Sequence, residues 1–99
     1  MKELQMNLES FMRSPIEIEV KNRIDLSAAA YAYEYMNISI MTDAEFDVLS
    51  LKIDPQLSTG NKKMDKFFKK QFDPSTGMWI HKHPEKNKLR RIVELKRNV

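Results

Sequence analysis

The segment from Ser14 to Met36 constrains the fold most, because its apolar side chains recur at helical spacing along its length. Apolar residues fall at every fourth position from Ile16 to Ala28, which places them on one face of an α-helix. Ser14 is a favourable helix cap, and Pro15 suits the first helical position, where its missing N–H is not needed. We therefore predict one long helix that ends near Met36.

The next predicted helix along the chain begins with a capping box. Thr42 is followed three residues later by Glu45, so each side chain can bond to the other residue's backbone N–H. The carboxylates of this first turn also interact favourably with the helix dipole. The helix is expected to end at about Ile53, because Pro55 disfavours helical backbone in the residue before it.

The rest of the chain divides into short segments that suit a helical bundle. Only 2 Gly and 4 Pro occur in 99 residues, which is too little turn chemistry for an all-β sandwich. We predict a single all-α domain over residues 1–99, a small antiparallel bundle of four to five helices with short loops. The remaining predicted segments are helices at 1–13, at 61–72 and from 84 onward, and an extended segment at 78–83.

Two clusters near the centre of the chain carry the strongest functional signal. Residues 31–35, Tyr-Ala-Tyr-Glu-Tyr, place aromatic side chains on the first helix, and residues 43–47, Asp-Ala-Glu-Phe-Asp, open the second. Asp43 and Asp47 share a helix face at a spacing of four, where like charges repel. We therefore expect one of them to have a cation or a hydrogen-bond partner. Core packing of the tyrosines and helix capping by the carboxylates are the alternatives.

These clusters together resemble the N-terminal Ia domain of NAD-dependent DNA ligases. That family has a Tyr-His pair, an Asp nine residues after the His, and a Tyr-Asp pair three residues further on. Tyr33, Asp43 and Asp47 match this pattern. Glu34 replaces the His and adds a negative charge near the expected phosphate, whereas Phe46 keeps the aromatic face of the Tyr and loses its hydroxyl.

The resemblance implies a site for the nicotinamide mononucleotide end of NAD and covers about residues 16–54. In the ligases, aromatic side chains stack on the nicotinamide ring, and polar groups bind its amide and ribose-phosphate. The lysine motif that accepts AMP in ligases is absent from this sequence, so we expect a non-enzymatic chain with no catalytic residues. The cofactor-contacting residues implied here are Tyr33, Glu34, Asp43, Phe46 and Asp47.

A second, broader similarity involves four short stretches of the C-terminal part. They are Ser-Thr-Gly-Asn at 58–61, Phe-Phe at 67–68, Ser-Thr-Gly-Met-Trp-Ile at 75–80, and His-Pro-Glu at 83–85. With these elements the chain is similar to short stand-alone proteins, often phage-encoded, that are described only as ligase-related. This similarity extends over most of the chain and implies a phage or prophage source.

Positive charge is concentrated in residues 60–99, which we call the basic half. Residues 1–59 contain 5 Lys or Arg and 10 Asp or Glu, whereas residues 60–99 contain 12 and 4. This asymmetry indicates a polyanionic partner or self-association between unlike faces. A simple solvated helix face is the alternative. The candidate nucleic-acid contacts are four lysines of helix 61–72, two arginines of the last helix, and an aromatic residue that could stack on a base or fill the core. They are Lys62, Lys66, Lys69, Lys70, Arg90, Arg91 and Trp79.

His81 and His83 flank Lys82 in the segment predicted to be extended. There they would share one face, as two metal ligands would require, but no third ligand lies nearby in the sequence. Bracing of the turn around Trp79 is the favoured interpretation of these histidines, and no metal site is predicted.

The sequence thus predicts a non-enzymatic adaptor or inhibitor that engages nucleic acid or a nucleoprotein complex, with a host protein as a further candidate target. The alternatives are a nicotinamide mononucleotide or NAD-binding module and a trans-acting helper of a ligase-like enzyme. Cysteine is absent, which excludes disulfides and thiolate chemistry. The apolar stretch 28–41 is too short to span a bilayer, and no signal-peptide pattern opens the sequence. A cytoplasmic protein without a membrane partner is therefore expected.

Overall fold

The structure is a computed structural model that describes residues 13–97. This part of the chain is a small all-α bundle with no strand, as predicted. The predicted helix at 1–13 lies almost entirely outside the described residues. The elements are α1 (Pro15–Met36), α2 (Asp43–Lys52), α3 (Lys62–Gln71), a 3₁₀ helix (Met78–Lys82) and α4 (Lys86–Arg97).

Both ends of α1 are set by local chemistry. The Oγ of Ser14 accepts a hydrogen bond from the backbone N–H of Glu17 at 3.1 Å, and Pro15 occupies the first helical position. At the other end, Asn37 adopts the left-handed conformation with φ of 55° and donates its N–H to the carbonyl of Ala32. Asparagine tolerates this conformation better than most residues, so α1 stops there.

The C-terminal part of α1 forms the centre of the core. Leu26, Ala28 and Ala32 have no exposed surface, and the small alanines allow neighbouring elements to approach closely. α1 contacts α2, α4 and the 3₁₀ helix. These neighbours and α3 complete the core with Ile53, Phe67, Phe68, Trp79, Ile80, Leu89 and Val93.

The segment 78–83, predicted to be extended, is instead a 3₁₀ helix over Met78–Lys82. Trp79 and Ile80 are adjacent in sequence, yet both are buried, with 4% and 0% of their surface exposed. An extended segment would send two adjacent side chains to opposite faces. No strand within residues 13–97 is available to pair with it, so the backbone bonds locally: Ile80 N–H donates to the Gly77 carbonyl at 3.2 Å.

A buried charged network, which the sequence pattern did not reveal, joins α1 to the loop after α2 and to α3. Arg23 donates through Nε to Glu19 at 2.6 Å and through Nη1 to Asp65 at 2.8 Å. Its Nη2 donates to the backbone carbonyls of Asp54 at 2.8 Å and Leu57 at 3.1 Å. Because every charge in the network has a close partner, the cost of removing these groups from water is offset.

None of the helices described between residues 13 and 97 has the length and apolar character needed to cross a membrane.

Candidate functional site: a cavity between α1, α2 and the turn at 73–77

Four of the five residues implied by the ligase resemblance surround one cavity of about 300 Å³. Tyr33 and Glu34 reach it from the C-terminal end of α1, and Asp43 and Phe46 reach it from the first turns of α2. Asp47 lies further along α2, is exposed, and does not line the cavity. The structure therefore brings four of the predicted contacts together and leaves Asp47 outside.

The opposite wall of the cavity is the turn at 73–77. The sequence of this segment is typical of a turn, but it did not predict that the turn packs beside α1 and α2. Asp73 holds the turn, since its Oδ1 accepts from the backbone N–H of Ser75 at 2.9 Å and from its Oγ at 2.7 Å. A Cβ placed on Gly77 would lie 3.5 Å from Cζ of Phe46, so the turn runs directly beside that ring. The other lining residues from the connector and the turn are Ser39, Ile40, Met41, Thr76 and Met78.

The helix cap and the cavity use different side chains of α2. Thr42 N–H donates to Oε1 of Glu45 at 2.9 Å, and Glu45 N–H donates to Oγ1 of Thr42 at 3.1 Å, which confirms the predicted capping box. The pKa of Glu45 is accordingly lowered by the hydrogen bonds from Thr42. Asp43 takes no part in this box, so its carboxylate remains available to the cavity.

The cavity is acidic because Glu34 and Asp43 both line it. We expected either Asp43 or Asp47 to have a cation or a hydrogen-bond partner. Within residues 13–97 neither carboxylate has one, so that expectation is wrong for this part of the chain. Two exposed carboxylates on one helix face without a neutralising partner favour a positively charged ligand or surface.

His81 links the 3₁₀ helix to the C-terminal end of α1. Its Nε2 lies 3.4 Å from Oε2 of Glu34, and its Nδ1 lies 2.8 Å from the hydroxyl of Tyr35. Lys86 donates from Nζ to the His81 carbonyl at 2.7 Å, which fixes the backbone at this point. The two histidines do not share a face as predicted, because His81 is exposed whereas His83 is buried.

The three tyrosines of the first cluster occupy three different environments. Tyr31 is buried, and its ring stacks on Tyr35 with centroids 4.8 Å apart. Tyr35 is partly exposed beside His81, whereas Tyr33 is 68% exposed at the edge of the cavity. Core packing therefore explains Tyr31, and Tyr33 is the tyrosine available to a ligand in the cavity.

The predicted nucleic-acid contacts divide into exposed basic side chains and one buried aromatic. Within the part of the chain that the structure describes, four of the five lysines of α3 form no ion pair, whereas Lys63 pairs with Glu85 at 3.0 Å. Arg90 approaches Glu94 at 3.4 Å. Lys62, Lys66, Lys69, Lys70, Arg90 and Arg91 are all exposed.

Trp79 is not available for stacking on a base, so its predicted role as a nucleic-acid contact is wrong. Its side chain is 4% exposed and packs against Phe67, Phe68 and Phe72, with ring centroids between 5.2 and 6.1 Å away. Its Nε1 donates to the carbonyl of Thr76 at 2.8 Å. Trp79 therefore fills the core and anchors the turn that forms the cavity wall.

The described residues hold no group of three His, Asp or Glu side chains that could bind a metal ion. No protein-family model matches this chain, and no curated protein or solved structure is significantly similar to it. The features that bear on function are therefore the cavity and the basic face of α3, which is formed by Lys62, Lys66, Lys69 and Lys70.

Proposed function

We propose that this chain is a non-enzymatic binding protein for a cationic nicotinamide compound of the nicotinamide mononucleotide class. The observation that supports the proposal is the convergence of Tyr33, Glu34, Asp43 and Phe46 around one cavity. An oxidised nicotinamide ring carries a positive charge at its alkylated ring nitrogen. Aromatic faces attract such a cation, and nearby carboxylates add to the attraction.

The size and charge of the cavity narrow the ligand class. A volume of about 300 Å³ is at the lower end of the range for small-molecule sites, so the nicotinamide-ribose part fits better than a complete dinucleotide. The negative charges of Glu34 and Asp43 attract the cationic nicotinamide ring and repel a phosphate group. We therefore expect nicotinamide riboside to bind at least as tightly as nicotinamide mononucleotide.

The decisive experiment compares 1-methylnicotinamide, which is a cation, with neutral nicotinamide, using NMR titration of the labelled protein. The cation should bind more tightly and shift resonances of Tyr33 and Phe46. D43N should weaken its binding by about two- to fivefold, because a half-exposed charge contact contributes roughly 0.2–1 kcal/mol.

D47N is the matched control for that experiment. It removes the same charge from the same helix, but Asp47 does not line the cavity, so the affinity should stay unchanged. Equal affinities for the cation and the neutral compound, or no shifts at millimolar ligand, would dismiss the proposal.

The basic face of α3 supports a second candidate function, which is binding of a nucleic acid or another polyanion. Four of its five lysines are exposed and unpaired within residues 13–97, and the fifth, Lys63, pairs with Glu85. Each phosphate that they neutralise would contribute about −0.9 to the slope of log affinity against log salt for duplex DNA.

Simultaneous reversal of Lys62, Lys66, Lys69 and Lys70 to Glu tests this second function. Affinity for a short DNA duplex should be lost in low salt, whereas Lys52→Glu on α2 should leave most of it. Binding that survives the fourfold reversal, with an unchanged salt slope, would exclude the lysine face as the contact.

A further inference from the structure

We propose that Tyr35 is a base-assisted nucleophile, activated by His81 and Glu34, that accepts an acyl group from an activated donor. The three side chains form a carboxylate–imidazole–hydroxyl relay at the junction of α1 and the 3₁₀ helix. Tyr35 and His81 do not line the cavity, whereas Glu34 does, so substitution of His81 distinguishes this proposal from ligand binding in the cavity.

The distances define the direction of the relay. The Tyr35 hydroxyl lies 2.8 Å from Nδ1 of His81, and Oε2 of Glu34 lies 3.4 Å from Nε2 on the other side of the ring. A carboxylate beside Nε2 favours the tautomer that carries its proton there, which leaves Nδ1 as an acceptor. In this tautomer the Tyr35 hydroxyl donates to Nδ1, as the hydroxyl of an activated nucleophile does.

Two neighbouring side chains, Tyr31 and Lys86, hold the relay in place. Tyr31 stacks on the Tyr35 ring at 4.8 Å between centroids with an interplanar angle of 24°, and His81 meets the same ring at 5.2 Å. Lys86 holds the His81 carbonyl at 2.7 Å. Tyr35 itself remains 42% exposed, so a donor in solution can reach its oxygen.

The chemical step is an acyl transfer that leaves a tyrosyl ester. The phenolic oxygen attacks the acyl carbonyl carbon, and a C–O bond forms as the bond from that carbon to the leaving group breaks. The phenolic proton moves to Nδ1 of His81, and the resulting imidazolium is stabilised by the carboxylate of Glu34. The leaving group departs with the electron pair of the broken bond and takes up a proton from the imidazolium or water.

The charge of Glu34 selects the donor class. Its carboxylate stands 3.4 Å from the imidazole that receives the proton, so an incoming phosphoryl group, which carries negative charge, is repelled. An acyl group is neutral and meets no such repulsion. The donor class is therefore an activated acyl compound, such as a thioester or an acyl imidazole, rather than a nucleoside triphosphate.

Tyr33 provides an internal control for the test. It is 68% exposed against 42% for Tyr35, and no histidine contacts it in the described structure. If exposure alone governed reactivity, Tyr33 would be acylated faster. The relay predicts the opposite order.

The experiment treats the full chain with N-acetylimidazole and follows O-acetylation of each tyrosine by tandem mass spectrometry. Tyr35 should react at least about tenfold faster than Tyr33, since a positioned general base contributes roughly 10²–10⁴-fold in enzymes and this one is half exposed. H81N should bring the Tyr35 rate down to that of Tyr33 or below, although its amide can still bond to the phenol.

E34Q should slow Tyr35 acetylation less than H81N does, and D47N, at a residue outside the cavity and the relay, should leave it unchanged. NMR spectra of the variants establish that the fold is retained. Faster acetylation of Tyr33 than of Tyr35, or an unchanged Tyr35 rate in H81N, would overturn the proposal.

Discussion

Arg23 is charged, yet it is buried as deeply as the apolar residues of the core. Only 4% of its surface is exposed, its guanidinium donates four hydrogen bonds, and its Cζ lies 4.8 Å from the centroid of the Phe68 ring. Two of its acceptors are the carboxylates of Glu19 and Asp65. Burial acts to raise the pKa of Asp65, but hydrogen bonds from Thr59 and Arg23 and the charge of Arg23 hold it below its ordinary value.

Removal of the guanidinium should therefore destabilise the protein strongly. We expect R23M to lower the free energy of unfolding by about 3–5 kcal/mol, because it leaves the carboxylates of Glu19 and Asp65 without their cationic partner. Urea denaturation measures the change. K21M is the control, since Lys21 pairs with Asp25 at 2.6 Å on the surface and such pairs contribute about 0.2–1 kcal/mol. Similar losses of unfolding free energy in R23M and K21M would contradict the role of Arg23 as the cationic partner of Glu19 and Asp65.

His83 makes the stability depend on pH. Burial lowers its pKa from 6.5 to about 4; the charge of Glu85 opposes the shift, and Lys86 and Lys63 add to it. Its Nδ1 accepts from the backbone N–H of Glu85 at 3.0 Å, so the neutral ring is the form that the fold holds.

The sign of the pH effect follows from the lowered pKa. Between pH 6.5 and about 4 the unfolded chain binds a proton at His83 that the folded chain does not, so the free energy of unfolding falls as the pH falls through this window. H83N should flatten that slope, because its amide oxygen can accept from Glu85 without binding a proton. Equal slopes in the two proteins between about pH 5.5 and 6.5, where the carboxylates of the folded and the unfolded chain are both almost fully ionised, would refute this.

At the scale of the elements, the cavity exists because a turn distant in sequence closes it. The Cβ of any residue placed at Gly77 would contact Phe46 at 3.5 Å and Ala30 at 3.9 Å, and both of these line the cavity. Gly77 has φ of −102°, a conformation open to every L-residue. The absence of a side chain at this position therefore keeps the cavity open. The backbone conformation does not require a glycine.

A larger side chain at Gly77 should block the cavity without unfolding the protein. G77L should weaken 1-methylnicotinamide binding by at least about tenfold by filling the ligand's space, whereas G77A, whose Cβ makes only ordinary contact, should reduce it little. Calorimetric titration together with thermal unfolding separates lost binding from lost fold. Undiminished binding by G77L would show that the ligand occupies another site.

Elements with local signals were predictable from the sequence, and elements set by distant contacts were not. Ser14 and Thr42 with Glu45 cap their helices as predicted, because capping involves residues three apart. The sequence pattern at 78–83 predicted an extended segment, which is wrong. The burial of Trp79 beside Ile80 depends on packing against α1 and α3, which a local pattern does not show. The grouping of Tyr33 with Asp43 was predictable through the ligase resemblance alone.

At the scale of the whole molecule, the two candidate surfaces lie on different elements. The acidic cavity is built by α1, α2 and the turn at 73–77, and the exposed lysines belong to α3. This division agrees with the charge asymmetry between the halves of the sequence. The charged network around Arg23 could not be predicted, because its members lie up to 42 residues apart and the helical pattern does not distinguish them from surface charges.

The burial of Trp79 gives the protein an optical reporter of its own. It is the single tryptophan of the chain, and its indole is enclosed by phenylalanine rings, so its emission should lie at short wavelength in the native state and move to longer wavelength on denaturation. Its N–H is bonded to the carbonyl of Thr76, a residue of the cavity wall. Fluorescence from this one side chain therefore registers both the integrity of the core and any displacement of the wall that a ligand contacts.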